Sequence, residues 1–232
     1  VDVPAGLGWR LALAAVVILI SVIGGRIIPA FTRNWLARFG ASPVAAGHGL
    51  PDRAGLATLH LGLVGWVFFP ASEAVGIILV VAAVLNLWRL GRWRGWMAAS
   101  EPLLAILHFG YAWVIGGAGL LGASLLSDAI PEAAAVHALT AGAIGTMVVG
   151  VMTRVARGHT GRPLEADRTT VLIYGAITLA GVARVMAAIM TSSSMALLYV
   201  SAALWLTGFL LFVAAYGPML VLRRPDAGNR PA

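Results

Sequence analysis

Long apolar runs separated by short polar connections are the dominant feature of this sequence. Seven such runs fall roughly at 8–30, 54–69, 72–88, 101–126, 133–153, 169–191 and 195–221. A transmembrane α-helix needs about 20 mostly apolar residues to cross the hydrocarbon core of a bilayer. Hydrophobic residues make up 60% of the chain and charged residues only 11%, well outside the usual composition of soluble domains. The sequence therefore predicts an all-α fold, a polytopic transmembrane helix bundle of about seven spans in the lipid bilayer.

Composition also excludes several classes of function. The chain has no cysteine, which rules out disulfides, thiolate metal sites and iron–sulfur clusters held by cysteine. All 16 cationic residues are arginine, whereas a retinal Schiff base needs a lysine amine. The net charge of +7 comes mostly from arginines between apolar runs, which indicates membrane topology rather than nucleic-acid binding. No Walker, GxSxG or HExxH motif is present, so the sequence leaves open whether the chain is an enzyme.

Arginine occurs in alternate connections between the predicted spans. These arginines are Arg33, Arg38 and Arg53; Arg89, Arg92 and Arg94; Arg157, Arg162 and Arg168; and, after the last span, Arg223, Arg224 and Arg230. The other connections hold Glu73, then Asp128 and Glu132, and then only serines. Because cytoplasmic loops carry excess arginine, we expect residue 1 to be periplasmic and the C-terminus cytoplasmic in a bacterial inner membrane.

The predicted domain organisation is simple. Residues 1–222 form one transmembrane bundle, and residues 223–232 read as a disordered cytoplasmic tail. Phe31, Trp35 and Phe39 recur at helical spacing, which predicts a short interfacial helix over 31–42.

Polar groups are costly inside a bilayer, and four positions stand out within the predicted spans. They are His60, His108, His137 and Arg184. Imidazole can bind haem iron or copper, but a neutral histidine hydrogen-bonded across helices is an equally ordinary interpretation. Glu101 either orients His108, which has Tyr111 beside it, or begins a helix before Pro102.

Arg184 has two interpretations. It either snorkels to the outer interface or faces the bundle interior. His137 and Arg184 should lie in the outer half of the membrane on consecutive helices, since both are close to the outer ends of their spans. We therefore predict that Arg184 supports an anionic cofactor group near His137.

Three segments resemble blocks of the NnrS family. The first runs from His137 to Leu164 and reads HALTAGAIGTMVVGVMTRVARGHTGRPL. The others read GGRIIPAFTRNWL, from Gly24 to Leu36, and EPLLAILHFGYAW, from Glu101 to Trp113. The resemblance implies a bacterial inner-membrane protein that contains haem and copper and is tied to denitrification and nitric-oxide stress. Since family members have about twelve spans, it also implies that this chain is the C-terminal portion and lacks a histidine-rich N-terminal block.

The leading hypothesis is a haem-binding membrane protein of nitric-oxide metabolism or tolerance, with copper as a second metal and nitric oxide or a similar small ligand as its partner. A redox activity at a haem–copper pair is the enzyme alternative. A transporter with intramembrane His and Arg along its path is the alternative without redox chemistry.

The resemblance and the intramembrane positions together select the candidate site residues. We predict that His108 or His137 ligates haem iron, with Arg184 and Tyr111 as cofactor-binding residues and His60 and His159 as further metal-ligand candidates. His159 lies in the polar sequence GHTGRP, which is either a solvated basic loop or a functional loop that folds back on the bundle.

Overall fold

Helices account for every regular element that the structure, a computed structural model, describes in residues 6–40 and 49–221. The helices are α1 (Leu7–Ala37), α2 (Leu50–Phe68), α3 (Glu73–Arg92), α4 (Pro102–Ser124), α5 (Glu132–His137), α6 (Gly145–His159), α7 (Arg168–Ile189) and α8 (Ser194–Val221). A π-helical segment, Ala138–Ile144, joins α5 to α6 without a break. The predicted tail 223–232 lies outside the described residues.

Six helical stretches are long and apolar enough to cross a membrane, judged by length and composition. Helix α2 is not among these six, because Asp52, Arg53 and His60 lower its hydropathy. With α5, the π segment and α6 counted as one stretch, the seven long helices correspond to the seven predicted apolar runs. The prediction of an all-α membrane-spanning bundle is confirmed.

The ends of the helices alternate between two faces of the bundle. One face is formed by the C-terminal ends of α1, α3, α6 and α8 together with the N-terminal ends of α2, α4 and α7. Most of the arginines occur there, and we call this face the Arg-rich end.

Residues 31–37 do not form a separate interfacial helix. They continue α1 through Pro29, so that α1 ends at Ala37, while residues 41 and 42 of the predicted segment lie outside the described residues. Proline has no N–H to donate four residues back, which leaves the Gly25 carbonyl without its helical partner. The Arg89 guanidinium donates to that carbonyl at 3.3 Å, and such compensation lets a helix pass through proline within a membrane protein.

Helix α4 occupies the centre of the bundle and contacts α1, α3, α5, the π segment and α6. Its closest approach to α3 occurs at Gly122 and Gly76, where a Cβ added to Gly122 would lie 2.7 Å from the Gly76 carbonyl oxygen. Small residues at such crossings let two helix backbones pack directly in lipid, where dispersion and hydrogen bonding replace the hydrophobic effect.

Candidate functional site

The largest pocket that bears two predicted site residues lies between the π segment, α7 and α8. It encloses about 900 Å³ and is lined by both His137 and Arg184. Its other walls are mostly apolar, formed by side chains that include Ile144, Val148, Leu198, Trp205, Leu206 and Phe209. Ligand pockets usually measure about 300–1,000 Å³ and combine apolar walls with a few polar groups. The structure thus brings together the two residues that sequence position had placed at one depth.

The π segment shapes one wall of this pocket. It begins directly after His137, and three of its residues, Thr140, Ala141 and Ile144, line the cavity. A π-helical turn bonds i to i+5 rather than i+4, is rare, and is frequently found at functional sites. Gly142 lets the Trp113 ring of α4 pack against this segment, since a Cβ there would lie 2.5 Å from that ring.

Neither His137 nor Arg184 has a hydrogen-bonding partner among the described residues. No described residue forms a hydrogen bond with the His137 ring, and its one interaction is electrostatic, with Arg184. No described carboxylate pairs with Arg184. An imidazole and a guanidinium that share an apolar pocket without protein partners are both available to a ligand, the first as a metal donor and the second as a fork for a carboxylate.

His108 lies on α4 in a different environment. Its Nδ1 is 3.1 Å from the Leu104 carbonyl oxygen, so Nδ1 carries the proton in a neutral ring. Its Nε2 is 3.4 Å from the Thr32 hydroxyl, which donates to the Ile28 carbonyl at 2.8 Å. The ring also lines an apolar pocket of about 460 Å³. His108 is therefore a half-buried imidazole that is oriented by the protein and is not part of the His137 pocket.

Glu101 begins α4 instead of orienting His108. Its carboxylate accepts a hydrogen bond from the Leu103 N–H at 3.2 Å, which satisfies one of the unpaired donors at a helix start. The interpretation of Glu101 as a helix-start residue is confirmed by this contact.

The comparison with protein families decides the class of this protein. A family model described as NnrS protein matches residues 2–224. The chain belongs to the NnrS family. No curated protein and no solved structure matches the chain. The match covers all the segments that carried the resemblance, and it includes every predicted site residue of this NnrS chain.

The other predicted ligands of the NnrS chain are held elsewhere. The His60 Nε2 forms a 2.8 Å hydrogen bond with the Ser21 hydroxyl of α1, as expected of a histidine bonded across helices. His159 is exposed at the end of α6. Within residues 6–40 and 49–221, no three His, Asp or Glu side chains gather into a group that could hold a metal ion.

Tyr111 belongs to a buried polar cluster at the Arg-rich end that sequence analysis missed. Arg89 is at its centre and is only 1% exposed. Arg89 donates to Asp52 at 2.9 Å and to the Tyr111 hydroxyl at 2.6 Å, and Tyr111 donates to Asn86 at 2.9 Å. The cluster ties α1, α2, α3 and α4 together, and Tyr111 is not among the residues that line the His137 pocket.

Two predicted loop arginines are in fact buried. The sequence placed Arg89 and Arg157 in cytoplasmic connections, but they lie within α3 and α6. Each is held by a carboxylate, Asp52 and Asp167 respectively. The prediction was wrong because a count of arginines cannot distinguish a solvated loop cation from one that is paired inside the bundle. Asn86 could have indicated that Arg89 is buried, because it places a second polar side chain three residues before Arg89 in an otherwise apolar run.

Arg157 fastens the connection between α6 and α7 to the bundle. Its guanidinium donates to Asp167 and, at 3.1 Å, to the Tyr216 hydroxyl of α8. Thr170 donates to Asp167 at 2.8 Å, so Tyr216 is the donor in its 2.6 Å bond with Thr170. Three helices are thereby joined through one carboxylate.

Asp167 makes the hydrogen-bonded group of Arg157, Asp167, Thr170 and Tyr216 sensitive to pH. Burial by itself would raise the pKa of Asp167, but hydrogen bonds from Thr170 and the Arg157 guanidinium outweigh it and hold the pKa below its ordinary value. A carboxyl whose pKa is lowered on folding stabilises the protein above its unfolded pKa of about 4, and this stabilisation is lost as pH falls through the folded value.

We expect Asp167→Asn to lower the unfolding free energy at pH 7 by about 0.5–1 kcal/mol, because Asp167 is half exposed and water screens the ion pair. Asparagine keeps the helix cap, so the loss reports the charge. The difference in unfolding free energy between wild type and variant, measured by thermal unfolding in detergent, should be constant above about pH 5. It should become smaller below about pH 4. The exposed Asp128→Asn variant should show no such difference, and a difference for Asp167→Asn that grew in acid would contradict the assignment.

Proposed function

We propose that this NnrS-family chain is a haem-binding membrane protein of nitric-oxide metabolism or nitrosative-stress tolerance. Family membership supports the connection to nitric oxide. The observation that carries the proposal is the pocket shared by His137 and Arg184, since a haem needs an axial ligand, apolar walls and a partner for its propionates.

The residues of the pocket fit this group. His137 would ligate the iron through a ring nitrogen that forms no hydrogen bond with a described residue. Arg184 would hold a propionate, because a guanidinium binds carboxylates through two parallel hydrogen bonds. The apolar side chains of the π segment and α8 would cover the macrocycle and exclude water. When bound, the haem would supply an iron that can take a small ligand such as nitric oxide.

His137 suits this role better than His108. The Nδ1 of His108 already donates to Leu104, and a Cβ on Gly95 would lie 2.3 Å from the His108 ring, so protein closely covers one side of that imidazole. The lining of the His108 pocket includes no arginine to pair with a propionate. Copper, the second metal implied by the resemblance, is not part of the proposal, because the described residues offer no cluster of three ligands.

Orientation in the membrane forms part of the same proposal. The Arg-rich end would face the cytoplasm, because arginine is concentrated on the cytoplasmic side of bacterial membrane proteins. The His137 pocket would then lie in the periplasmic half, with α5 entering from that side.

The test is visible absorption of the purified full chain. We expect a Soret band in the wild type, loss of that band in His137→Ala because the iron loses its protein ligand, and weaker haem retention in Arg184→Gln because a propionate loses its cationic partner. His60→Ala is the matched control, since His60 is an intramembrane histidine bonded to Ser21 outside the pocket.

An unchanged Soret band in His137→Ala, or loss in His60→Ala equal to that in His137→Ala, would reject the assignment of His137. A full chain that carries and takes up no haem would reject the proposal and favour the transporter alternative.

A further inference from the structure

A separate pocket at the Arg-rich end is lined by two arginines. It encloses about 180 Å³ between the end of α1, the start of α4 and the end of α6. Its polar groups come from Arg38, Arg154, Asn34, Trp35 and Glu101. At about 30 Å³ per water molecule, the space corresponds to about six waters, which is enough for one small anion with its hydration.

Arg154 presents guanidinium donors that no described residue satisfies. Its guanidinium lies over the Phe31 ring, with 4.1 Å between Cζ and the ring centroid. This contact orients the guanidinium plane. The ion pairs among the described residues involve only the carboxylates of Asp52 and Asp167. The Arg154 guanidinium forms no hydrogen bond with a described residue, although it interacts electrostatically with Glu101. A partly buried guanidinium whose donors find no acceptor among the described residues can bind an anionic ligand.

Arg38 adds a second cation to the same space. It lines the pocket and acts electrostatically on Arg154, and it too pairs with no described carboxylate. Two guanidinium groups repel each other unless an anion lies between them. Glu101 offsets one of the two charges, but one of its oxygens already accepts the Leu103 N–H. The pocket therefore keeps an excess positive charge.

We propose that this pocket binds a phosphate group. Guanidinium forks match phosphate oxygens in spacing and charge, and the Asn34 amide and Trp35 indole N–H supply neutral donors to the remaining oxygens. The phosphate can come from an anionic lipid headgroup, because the pocket is at the end of three spanning helices, or from free inorganic phosphate. The site is distinct from the His137 pocket and does not depend on haem.

Binding of phosphatidylglycerol and of inorganic phosphate to the purified full chain distinguishes these sources. Retained lipid is measured by native mass spectrometry, and phosphate by the shift in thermal unfolding relative to chloride at equal ionic strength. We expect Arg154→Gln and Arg38→Gln each to weaken binding by about tenfold, the effect of losing one charge-assisted contact. The control is Arg168→Gln, which removes the same charge from an exposed arginine at the same end and should bind like the wild type.

Binding of phosphatidylglycerol alone identifies a lipid site, and binding of inorganic phosphate identifies a free-anion site; both outcomes support the proposal when they depend on Arg38 and Arg154. The proposal is overturned if the wild type binds neither phosphatidylglycerol nor inorganic phosphate. It is also overturned if Arg38→Gln and Arg154→Gln lose no more binding affinity than Arg168→Gln. Arg38 is exposed, so Arg38→Gln tests the site even where Arg154→Gln does not fold.

Discussion

Asp52→Asn is expected to lower the unfolding free energy by about 3–5 kcal/mol, because it leaves a buried arginine without its counter-charge. Arg89 and Asp52 are 1% and 2% exposed, with 2.9 Å between the Nε and Oδ1 atoms. Asparagine keeps the size of the side chain and one acceptor oxygen, so the loss combines the charge with the contacts that Arg92 and the Gly49 N–H make to the second oxygen. The measurement is denaturant unfolding in detergent micelles, followed by tryptophan fluorescence.

Two further variants make this prediction specific. Asp128→Asn removes the same charge from an exposed turn and should change stability by less than about 0.5 kcal/mol. The double variant Asp52→Leu with Arg89→Met should recover part of the loss, since replacing a buried ion pair with apolar side chains is often neutral. Recovery is partial because the Gly25 carbonyl and the Tyr111 hydroxyl lose the Arg89 donor. If Asp52→Asn had the same midpoint denaturant concentration as the wild type, the Asp52–Arg89 ion pair would not determine the stability of the protein.

Gly122→Ala has the second large expected effect, a loss of about 3 kcal/mol or more, because the added methyl group meets backbone rather than a movable side chain. A Cβ at Gly122 would lie 2.7 Å from the Gly76 carbonyl oxygen and 2.9 Å from the Val80 amide nitrogen. Helices α3 and α4 would have to separate to admit it, and their dispersion contacts would weaken together. Thermal unfolding in detergent measures the loss.

Gly116→Ala is the matched control on the same helix. A Cβ there meets nothing within 4 Å, and alanine has the higher helix propensity, so this variant should be neutral or slightly stabilising. Equal losses in the two variants would mean that glycine on α4 acts through backbone flexibility and not through the approach of α3.

The glycines of α4 illustrate how far sequence analysis reaches. The sequence shows four glycines between positions 116 and 122, and small residues of this kind are typical of helix packing in lipid. It could not show which of these glycines meets another helix. That distinction depends on the rotation of α4 against α3, and rotation follows from the packing of all the neighbouring helices. The same holds for the three intramembrane histidines, whose environments only the structure distinguishes. The His108 ring is oriented by the Leu104 carbonyl, the His60 ring is bonded to Ser21, and the His137 ring lines an open pocket.

The shared depth of His137 and Arg184 was accessible from sequence, because depth follows from counting residues at 1.5 Å each along consecutive spans. The π segment between His137 and Gly145 was not accessible, since no local pattern distinguishes it from ordinary helix. Trp113 of α4 packs against this segment at Gly142, which is a contact between distant parts of the chain.

The sequence by itself determined the class of fold, the number of long helices and the alternation of arginine between the two ends, because the transfer of apolar segments into a bilayer and the bias of loop charges are properties of local composition. Only the tertiary structure decided which charged groups are buried. Arg89 reaches the Gly25 carbonyl because Pro29 leaves it unpaired, and it reaches Asp52 because α2 packs against α3. These partners are 64 and 37 residues away along the chain, and a pattern read along one helix carries no information about what a neighbouring helix brings to it.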